Sequence, residues 1–201
     1  MSAKTTGKAP LVLASTSRYR REVLGRLGHP FEVAAPAVDE SPLPGEAPAR
    51  TASRLALAKA RAVASRYRDA LVIGADQVAD VDGVAVSKPG DHAAALNQLR
   101  ALSGRTIVFH TAIALVDAAS GRATSRMVDV RSTFRMLTDD AIERYLRLEK
   151  PYDCAGAVKS EALGIALFEA IESADPTALI GLPLIALVDL LREAGFDVLA
   201  D

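Results

Sequence analysis

Residues 11–21 bring serine hydroxyls and arginines together directly after a short apolar run. The run Leu11–Ala14 is typical of a buried strand, and a serine-rich turn follows it. The first turns of the next helix carry Arg18, Arg20 and Arg21. A helix start exposes unpaired backbone N–H groups, and arginine offers forked donors that fit phosphate oxygens. A serine-capped surface helix would contain the same residues, but the preceding strand and turn favour an anion-binding site.

Asp76 follows a second apolar run, and its carboxylate could hold a metal ion or accept a proton from water. Residues 71–73 are typical of a strand buried on both faces, and Gly74 and Ala75 leave room for another group to approach. Asp76 would then lie at the carboxyl end of a strand, where α/β sheets place their ligand sites. It could instead cap a turn. The strand end and the small neighbours favour a functional role.

Three further charged residues remain open on the sequence pattern alone. Lys59 lies in the apolar stripe of a helix expected at residues 49–67, where it could reach solvent or bind a buried anion. Glu40 belongs to a proline-rich loop at residues 36–46. The simplest interpretation of that loop is a solvated connector, although a carboxylate there could share a divalent ion with phosphate oxygens. Lys88 ends a strand before a proline, as a solvated lysine would.

The loop at residues 152–161 contains the only cysteine of the chain and a glutamate at its end. Cys154 has no histidine or second cysteine near it in sequence, which favours a packed thiol over a nucleophile. Glu161 could be an exposed acid, or it could accept hydrogen bonds from the edge of a nucleobase. A single cysteine excludes an intrachain disulfide, and a cytoplasmic location is therefore expected.

The periodic patterns predict one α/β unit with a mixed, twisted sheet flanked by helices, elongated and divided into two lobes by a central cleft. The chain contains no Walker motif and no Gly-x-Gly-x-x-Gly, which argues against a P-loop or dinucleotide fold. Strands are expected at residues 11–14, 31–35, 71–73, 78–81, 84–87, 105–117, 122–134 and 162–168. Helices are expected at residues 18–27, 49–67, 91–102, 138–150 and 182–194, with a short one capped by residues 173–176.

The composition is that of an ordinary globular protein, with 50% hydrophobic and 24% charged residues. The formal net charge of −1 implies no general attraction to nucleic acid or to a membrane surface. Residues 1–10 are small and polar and are expected to form a mobile leader, with one domain at residues 11–201. The apolar run at residues 11–14 is too short for a signal peptide, and the run at residues 178–188 is broken by glycine and proline.

Several motifs resemble those of the Maf family of nucleoside triphosphate pyrophosphatases. Leu-Ala-Ser-Thr-Ser at residues 13–17 followed by Arg20-Arg21 resembles the N-terminal signature of that family. Further matches are Asp-Glu at 39–40, Ala-x-x-Lys-Ala at 56–60, Gly-Ala-Asp at 74–76, Ser-Lys-Pro at 87–89, Cys-Ala-Gly at 154–156, Lys-Ser-Glu at 159–161 and Gly-Leu-Pro-Leu at 181–184. The resemblance therefore runs from Leu11 to nearly the end of the chain, and it implies the Maf/ITPase-like fold.

The resemblance implies hydrolysis of a nucleoside triphosphate to the monophosphate and pyrophosphate, with water attacking the α-phosphorus. Glu40 and Asp76 would hold Mg²⁺ or Mn²⁺, and Asp76 is the family's proposed proton acceptor. The partner is then a small nucleotide rather than a nucleic acid, and a homodimer is allowed by resemblance only. The phosphate-binding residues implied are Ser15, Ser17, Arg20, Arg21, Lys59 and Lys88.

The resemblance extends to one branch of the family. The dTTP/UTP branch has threonine after the catalytic aspartate, whereas Gln77 is similar to the 7-methyl-GTP branch. Tyr19 and Glu161 occupy the other two positions that mark this branch, although tryptophan is common where Tyr19 stands. A methylated guanine is cationic, so that an aromatic face and a carboxylate should both favour it. The alternatives are a dTTP/UTP-type pyrophosphatase and a non-catalytic nucleotide-binding regulator of cell division.

Overall fold

The protein is described by a computed structural model that covers residues 9–200. Within that range seven strands form one mixed sheet with helices on both faces, which confirms the predicted α/β class. Most of the leader expected at residues 1–10 lies outside the described residues. Ala9 already packs against the core, and the Pro10 carbonyl accepts a hydrogen bond from the Leu71 amide at 2.9 Å.

The elements follow the predicted order closely. The strands are β1 Leu11–Ala14, β2 Phe31–Val33, β3 Leu71–Val81, β4 Val84–Val86, β5 Thr106–Asp117, β6 Ala123–Phe134 and β7 Phe168–Glu172. The helices are α1 Arg18–Gly25, α2 Pro48–Ala64, α3 His92–Leu102, α4 Asp139–Glu149 and α5 Leu184–Glu193. Short 3-10 turns lie at Ala155–Ala157, Leu163–Leu167 and Ala178–Ile180.

The sheet has the order β2-β1-β3-β5-β6-β7, with β4 paired to the far end of β3. Strand β1 runs parallel to β2 and β3, and the other pairs are antiparallel. An alanine-rich apolar layer joins α2 to one face of the sheet, and α1 and α5 pack on the opposite face. Helices α3 and α4 cover the far ends of β3, β5 and β6 with a third apolar cluster.

Strand β3 corrects the prediction of two separate strands at residues 71–73 and 78–81. It is continuous because β5 pairs with it from Leu71 to Asp80. Asp76 therefore lies in the middle of a strand instead of at its end. On the other edge, β1 pairs only as far as Gly74 and β4 begins to pair at Ala79. Among residues 9–200, none forms a strand next to residues 75–78 on that edge, and the parallel pairing of β3 ends at Gly74.

Gly74 lets α2 approach β3 more closely than any other residue would allow. A Cβ atom at this position would lie 2.2 Å from the Ala56 carbonyl oxygen and 2.7 Å from the Ala60 amide nitrogen. Both distances are far below van der Waals contact, so a side chain here would force the helix away from the strand. The close approach brings Lys59 of α2 beside Asp76 of β3.

The strand expected at residues 162–168 is wrong in position. Residues Leu163–Leu167 form a 3-10 turn, and the strand β7 begins at Phe168. The turn is tight because Gly164 packs on the backbone of Lys159, where a Cβ atom would lie 2.4 Å from the carbonyl oxygen. The short helix expected after residue 176 is the 3-10 turn Ala178–Ile180. No helix within residues 9–200 is long and apolar enough to cross a membrane.

Candidate active site

A cleft of about 700 Å³ opens along the unpaired edge of β3. Its walls come from the turn between β1 and α1, the acidic loop before α2, one face of α2, and the β3–β4 hairpin. The late loop around Asp153 and Ala155 closes another side. Because the edge of β3 is open here, Asp76 on one face of the strand and Gln77 on the other both reach the same cleft.

The floor of the cleft holds a lysine between two carboxylates. Lys59 Nζ donates to Asp76 Oδ1 and to Glu40 Oε2, both at 2.7 Å. Lys59 and Asp76 are only 4% and 6% exposed, whereas the Glu40 side chain is 58% exposed. A buried lysine and a buried aspartate neutralise each other here, which is the usual condition for charges at such depth. Asp76 Oδ2 has no hydrogen bond within the described residues and remains available to the cleft.

The acidic loop is fixed to α2 by a second ion pair. Glu46 accepts from Arg54 Nε and Nη2, both at 2.7 Å, and from the Thr51 hydroxyl at 3.0 Å. The guanidinium of Arg54 holds the pKa of Glu46 well below its usual value, at about 2. Arg54 also donates to the Ser41 carbonyl, next to Glu40 in sequence, at 3.1 Å. The loop that carries Glu40 is therefore tied to the same helix that carries Lys59.

The turn after β1 provides buried polar groups and one inward-facing arginine. Ser15 is 4% exposed, and its hydroxyl accepts from the Ser17 amide at 3.2 Å. Ser17 caps α1 by accepting from the Arg20 amide at 3.4 Å. Arg20 Nε donates to the Gly181 carbonyl at 2.9 Å, and burial lowers the pKa of Arg20 while the charges of Asp76 and Glu40 oppose that shift. Arg20 therefore lines the cleft within the electrostatic influence of both carboxylates.

Not every predicted phosphate ligand reaches the cleft. Lys88 lies on its rim and is exposed. Arg21 is also exposed, but it is absent from the lining, because it lies on the outer face of α1. The structure therefore brings together five of the six residues of this predicted set: Ser15, Ser17, Arg20, Lys59 and Lys88.

The three residues expected to contact a base lie together at one end of the cleft. A smaller cavity of about 140 Å³ adjoins it and is lined by Tyr19, Gln77 and Glu161. Glu161 is exposed, and Gln77 is partly buried. The guanidinium of Arg18 lies 4.7 Å from the centre of the Tyr19 ring and donates to its hydroxyl at 2.7 Å. A cation thus lies over one face of the ring.

The comparisons with known proteins agree with this geometry. A family model described as "Maf-like protein" matches residues 10–194. The chain belongs to the Maf family. A relative from a Polaromonas species is 58% identical over 200 residues, which cover 100% of this chain and 91% of the relative. A relative from Ralstonia nicotianae is 55% identical and covers 96% of this chain and 100% of its own length. A third, from Thiobacillus denitrificans, is 58% identical with 94% of each chain covered. All three are named 7-methyl-GTP pyrophosphatase.

The carboxylates of this Maf protein fit a divalent metal only in combination with a substrate. Among the residues that the structure describes, no group of three or more His, Cys, Asp or Glu side chains is arranged to hold a metal ion. Glu40 and Asp76 are two carboxylates joined through Lys59. Mg²⁺ is commonly bound by one or two carboxylates, with substrate phosphates and water completing its octahedron. The donor set fits that pattern and does not fit a site made of protein alone.

Sequence reasoning missed several groups that shape the base end. The sequence did not predict that the Arg18 guanidinium would lie over Tyr19 or that Asp153 would line the cleft. Nor did it predict that the carbonyls of residues 178, 179 and 181 accept hydrogen bonds from Arg20 and Gln77, because a pattern of side chains does not indicate the direction of a loop carbonyl. Cys154 was expected to be a packed thiol, and burial raises the pKa of Cys154 to about 12, which disfavours a nucleophile.

Proposed function

We propose that this Maf protein hydrolyses 7-methyl-GTP to 7-methyl-GMP and diphosphate and so removes a modified nucleotide. The observation that carries the proposal is a cleft with the buried Asp76–Lys59 pair and the exposed Glu40 at one end, adjoined at the other end by a smaller cavity lined by Tyr19, Gln77 and Glu161. Relatives named 7-methyl-GTP pyrophosphatase at 55–58% identity over nearly the full chain support it.

At the phosphate end, Asp76 would accept a proton from water. Its Oδ1 accepts from Lys59 at 2.7 Å, and its side chain lines the cleft. As water attacks, a bond forms from its oxygen to the α-phosphorus and its proton passes to Asp76. The bond from the α-phosphorus to the bridging oxygen breaks, and diphosphate leaves. Phosphoryl transfer depends mainly on positioning and on neutralising charge, and general-base assistance adds typically about 10²–10⁴-fold.

Fixed cations would neutralise the charge that builds up on the attacked and leaving groups. Lys59 is buried and Arg20 is half-buried near the carboxylates, where their interactions are stronger than in water. Lys88 is exposed on the rim, where it suits the outer phosphates. Glu40 and Asp76 would hold Mg²⁺ or Mn²⁺ together with phosphate oxygens. A bound divalent ion would supply further charge neutralisation at the phosphates.

At the base end, the Tyr19 ring would stack on the base and Glu161 would supply negative charge. A base methylated at N7 carries a positive charge that both groups favour. Arg18 on the opposite face of the ring weakens this preference, because a second cation lies on the same aromatic system. The carboxylates of Asp153 and Glu161, both in the lining of the smaller cavity, offset that charge.

A nucleotide panel tests the proposal. Purified protein is incubated with Mg²⁺ or Mn²⁺ and with 7-methyl-GTP, GTP, UTP, dTTP or ATP, and released diphosphate is measured. We expect the highest kcat/KM for 7-methyl-GTP and loss of release when the metal is chelated. A preference for UTP or dTTP would assign the chain to the other branch of the family. Absence of release from every nucleotide would leave only a binding function of the regulatory kind.

A further inference from the structure

Lys59 lies between the two carboxylates that are proposed to hold the metal ion. Its Nζ donates to Asp76 Oδ1 and to Glu40 Oε2, both at 2.7 Å, and the residue is only 4% exposed. An ammonium group has three N–H donors, so two are used here and the third remains for a phosphate oxygen. One cation of the protein therefore contacts both carboxylates at once.

The packing of α2 on β3 keeps this ammonium group in place. The helix approaches so closely that a Cβ atom at Gly74 would lie 2.2 Å from the Ala56 carbonyl oxygen. Lys59 and Asp76 belong to these two packed elements and are both buried. The contact between them is thus built into the fold, unlike an ion pair between two mobile surface side chains.

The charges at this end of the cleft are already balanced. Lys59 and Arg20 supply two positive charges near the carboxylates of Asp76 and Glu40. In the whole lining, four arginine and lysine side chains face three aspartate and glutamate side chains. A divalent cation added to this set would find no surplus of negative charge, and an uncompensated charge in a partly buried site is costly.

The supply of oxygen atoms would by itself allow a metal ion to bind without nucleotide. Asp76 Oδ2 has no hydrogen bond within the described residues, and Mg²⁺ can keep several water ligands. Such an ion would lie only a few ångströms from Lys59 Nζ, where like charges repel each other more strongly than in water. A triphosphate removes this conflict, because it brings several negative charges together with further oxygen ligands.

We propose that Lys59 makes metal binding conditional on the nucleotide. Its ammonium group excludes a free divalent ion from Asp76 and Glu40, and the ion enters only together with phosphate groups. The inference rests on the metal-dependent reaction of the proposed function. It gives Lys59 a second role beside phosphate binding, since the same charge that attracts the phosphates sets the order in which the ligands bind.

Titration with Mn²⁺ in the absence of nucleotide tests the exclusion, with free Mn²⁺ measured by electron paramagnetic resonance. We expect weak binding to the wild type and a dissociation constant at least about tenfold lower in Lys59→Met, which removes the charge. Lys59→Gln also removes the charge but keeps an N–H donor for Asp76, so it serves if the methionine variant does not fold. Tight binding to the wild type, or equal binding to the wild type and a folded neutral variant, would overturn the proposal.

Lys88→Met is the matched control, because Lys88 lies exposed on the rim of the same cleft. It loses the same charge, but Lys88 has no ion pair with Asp76 or Glu40. We expect this variant to bind Mn²⁺ as weakly as the wild type. An equal gain of affinity in Lys88→Met and Lys59→Met would assign the effect to the general charge of the cleft and overturn the role of Lys59.

Thermal unfolding of the wild type tests the second half of the proposal, with inorganic diphosphate as the probe. A ligand that binds only the folded state raises the melting temperature. Mn²⁺ alone should leave it unchanged, and Mn²⁺ with diphosphate should raise it beyond the value with diphosphate alone. No further rise would mean that the ion does not enter with phosphate groups, which would overturn the proposal. Neither measurement involves hydrolysis, so failure to cleave 7-methyl-GTP would refute the proposed function without altering these results.

Discussion

The two ends of the cleft are built in different ways. At the phosphate end, Lys59 and Asp76 come from the middle of a helix and the middle of a strand, and they are buried and paired at 2.7 Å. At the base end, Tyr19 and Glu161 are more exposed, and Glu161 comes from an irregular loop. The two ends therefore differ more in burial than in the elements they use, because Tyr19 on α1 and Gln77 on β3 also lie on regular elements and only Glu161 lies on a loop.

The largest effect is expected from Asp76→Asn, which removes the carboxylate at the centre of the phosphate end. Loss of general-base assistance predicts a fall in kcat of roughly 10²–10⁴-fold. Diphosphate release under saturating 7-methyl-GTP measures it. The matched control is Asp80→Asn, on the same face of β3 but paired with His110 outside the cleft.

The control variant should keep the activity of the wild type, because Asp80 is not in the lining of the cleft. Asp76→Asn with full activity would mean that the buried network is structural, and the contrast between the two ends would disappear.

A smaller effect, confined to binding, is expected from Tyr19→Leu at the base end. Stacking of a base on an aromatic ring is worth about 1–3 kcal/mol, which predicts a rise in KM of roughly five- to 150-fold with kcat nearly unchanged. Tyr67→Leu is the control, because Tyr67 donates to Glu32 at 3.0 Å and does not line the cleft. A change in kcat larger than the change in KM would show that the two ends are not separable.

The smallest effect concerns Glu46, which fastens the acidic loop to α2. The Arg54 guanidinium lowers the pKa of Glu46 from 4.5 to about 2, so the ionised carboxylate favours the folded state. Because the pKa of Glu46 is lower in the folded than in the unfolded chain, its ionised carboxylate stabilises the folded state fully above the unfolded pKa of 4.5. This stabilisation is lost as the pH falls from 4.5 towards about 2. Glu46→Gln should therefore be less stable than the wild type at about pH 6 and should approach it near pH 2.

Urea unfolding at both pH values measures this difference, with the exposed Glu169→Gln as control. An equal difference in the free energy of unfolding between wild type and Glu46→Gln at both pH values would show that the stabilisation by Glu46 does not come from its ion pair with Arg54. A raised KM for Mg²⁺ in Glu46→Gln would further show that the loop's attachment matters for Glu40.

The sequence predicted the residue types of the phosphate end better than their arrangement. Lys59 and Asp76 were recognised, but their direct pairing depends on how closely Gly74 allows α2 to approach, and pattern alone does not measure a distance. Arg20 and Arg21 have the same chemistry and differ only by about 100° around α1, so that the rotation of one short helix decides which of them faces inward. The pattern could not fix that rotation.

The base end was less predictable for a related reason. Gln77 was recognised through a family resemblance, but its orientation is set by backbone carbonyls of residues 178 and 179, about a hundred positions away in sequence. A carbonyl is present at every residue, and no side-chain type reveals its direction. Strand β7 was misplaced because the tight turn at Gly164 depends on contact with the backbone of Lys159.

The open edge of β3 has a consequence for how nucleotide preference can change within such a fold. Asp76 and Gln77 are adjacent in sequence but project from opposite faces of one strand. If the proposed roles hold, a substitution at 77 would alter the side chain that faces the base without moving the Asp76 carboxylate. Insertion or deletion of a single residue between 75 and 78 would turn each side chain to the other face and destroy both functions at once. A new nucleotide preference is therefore expected to arise by point substitution in this strand and not by insertion or deletion.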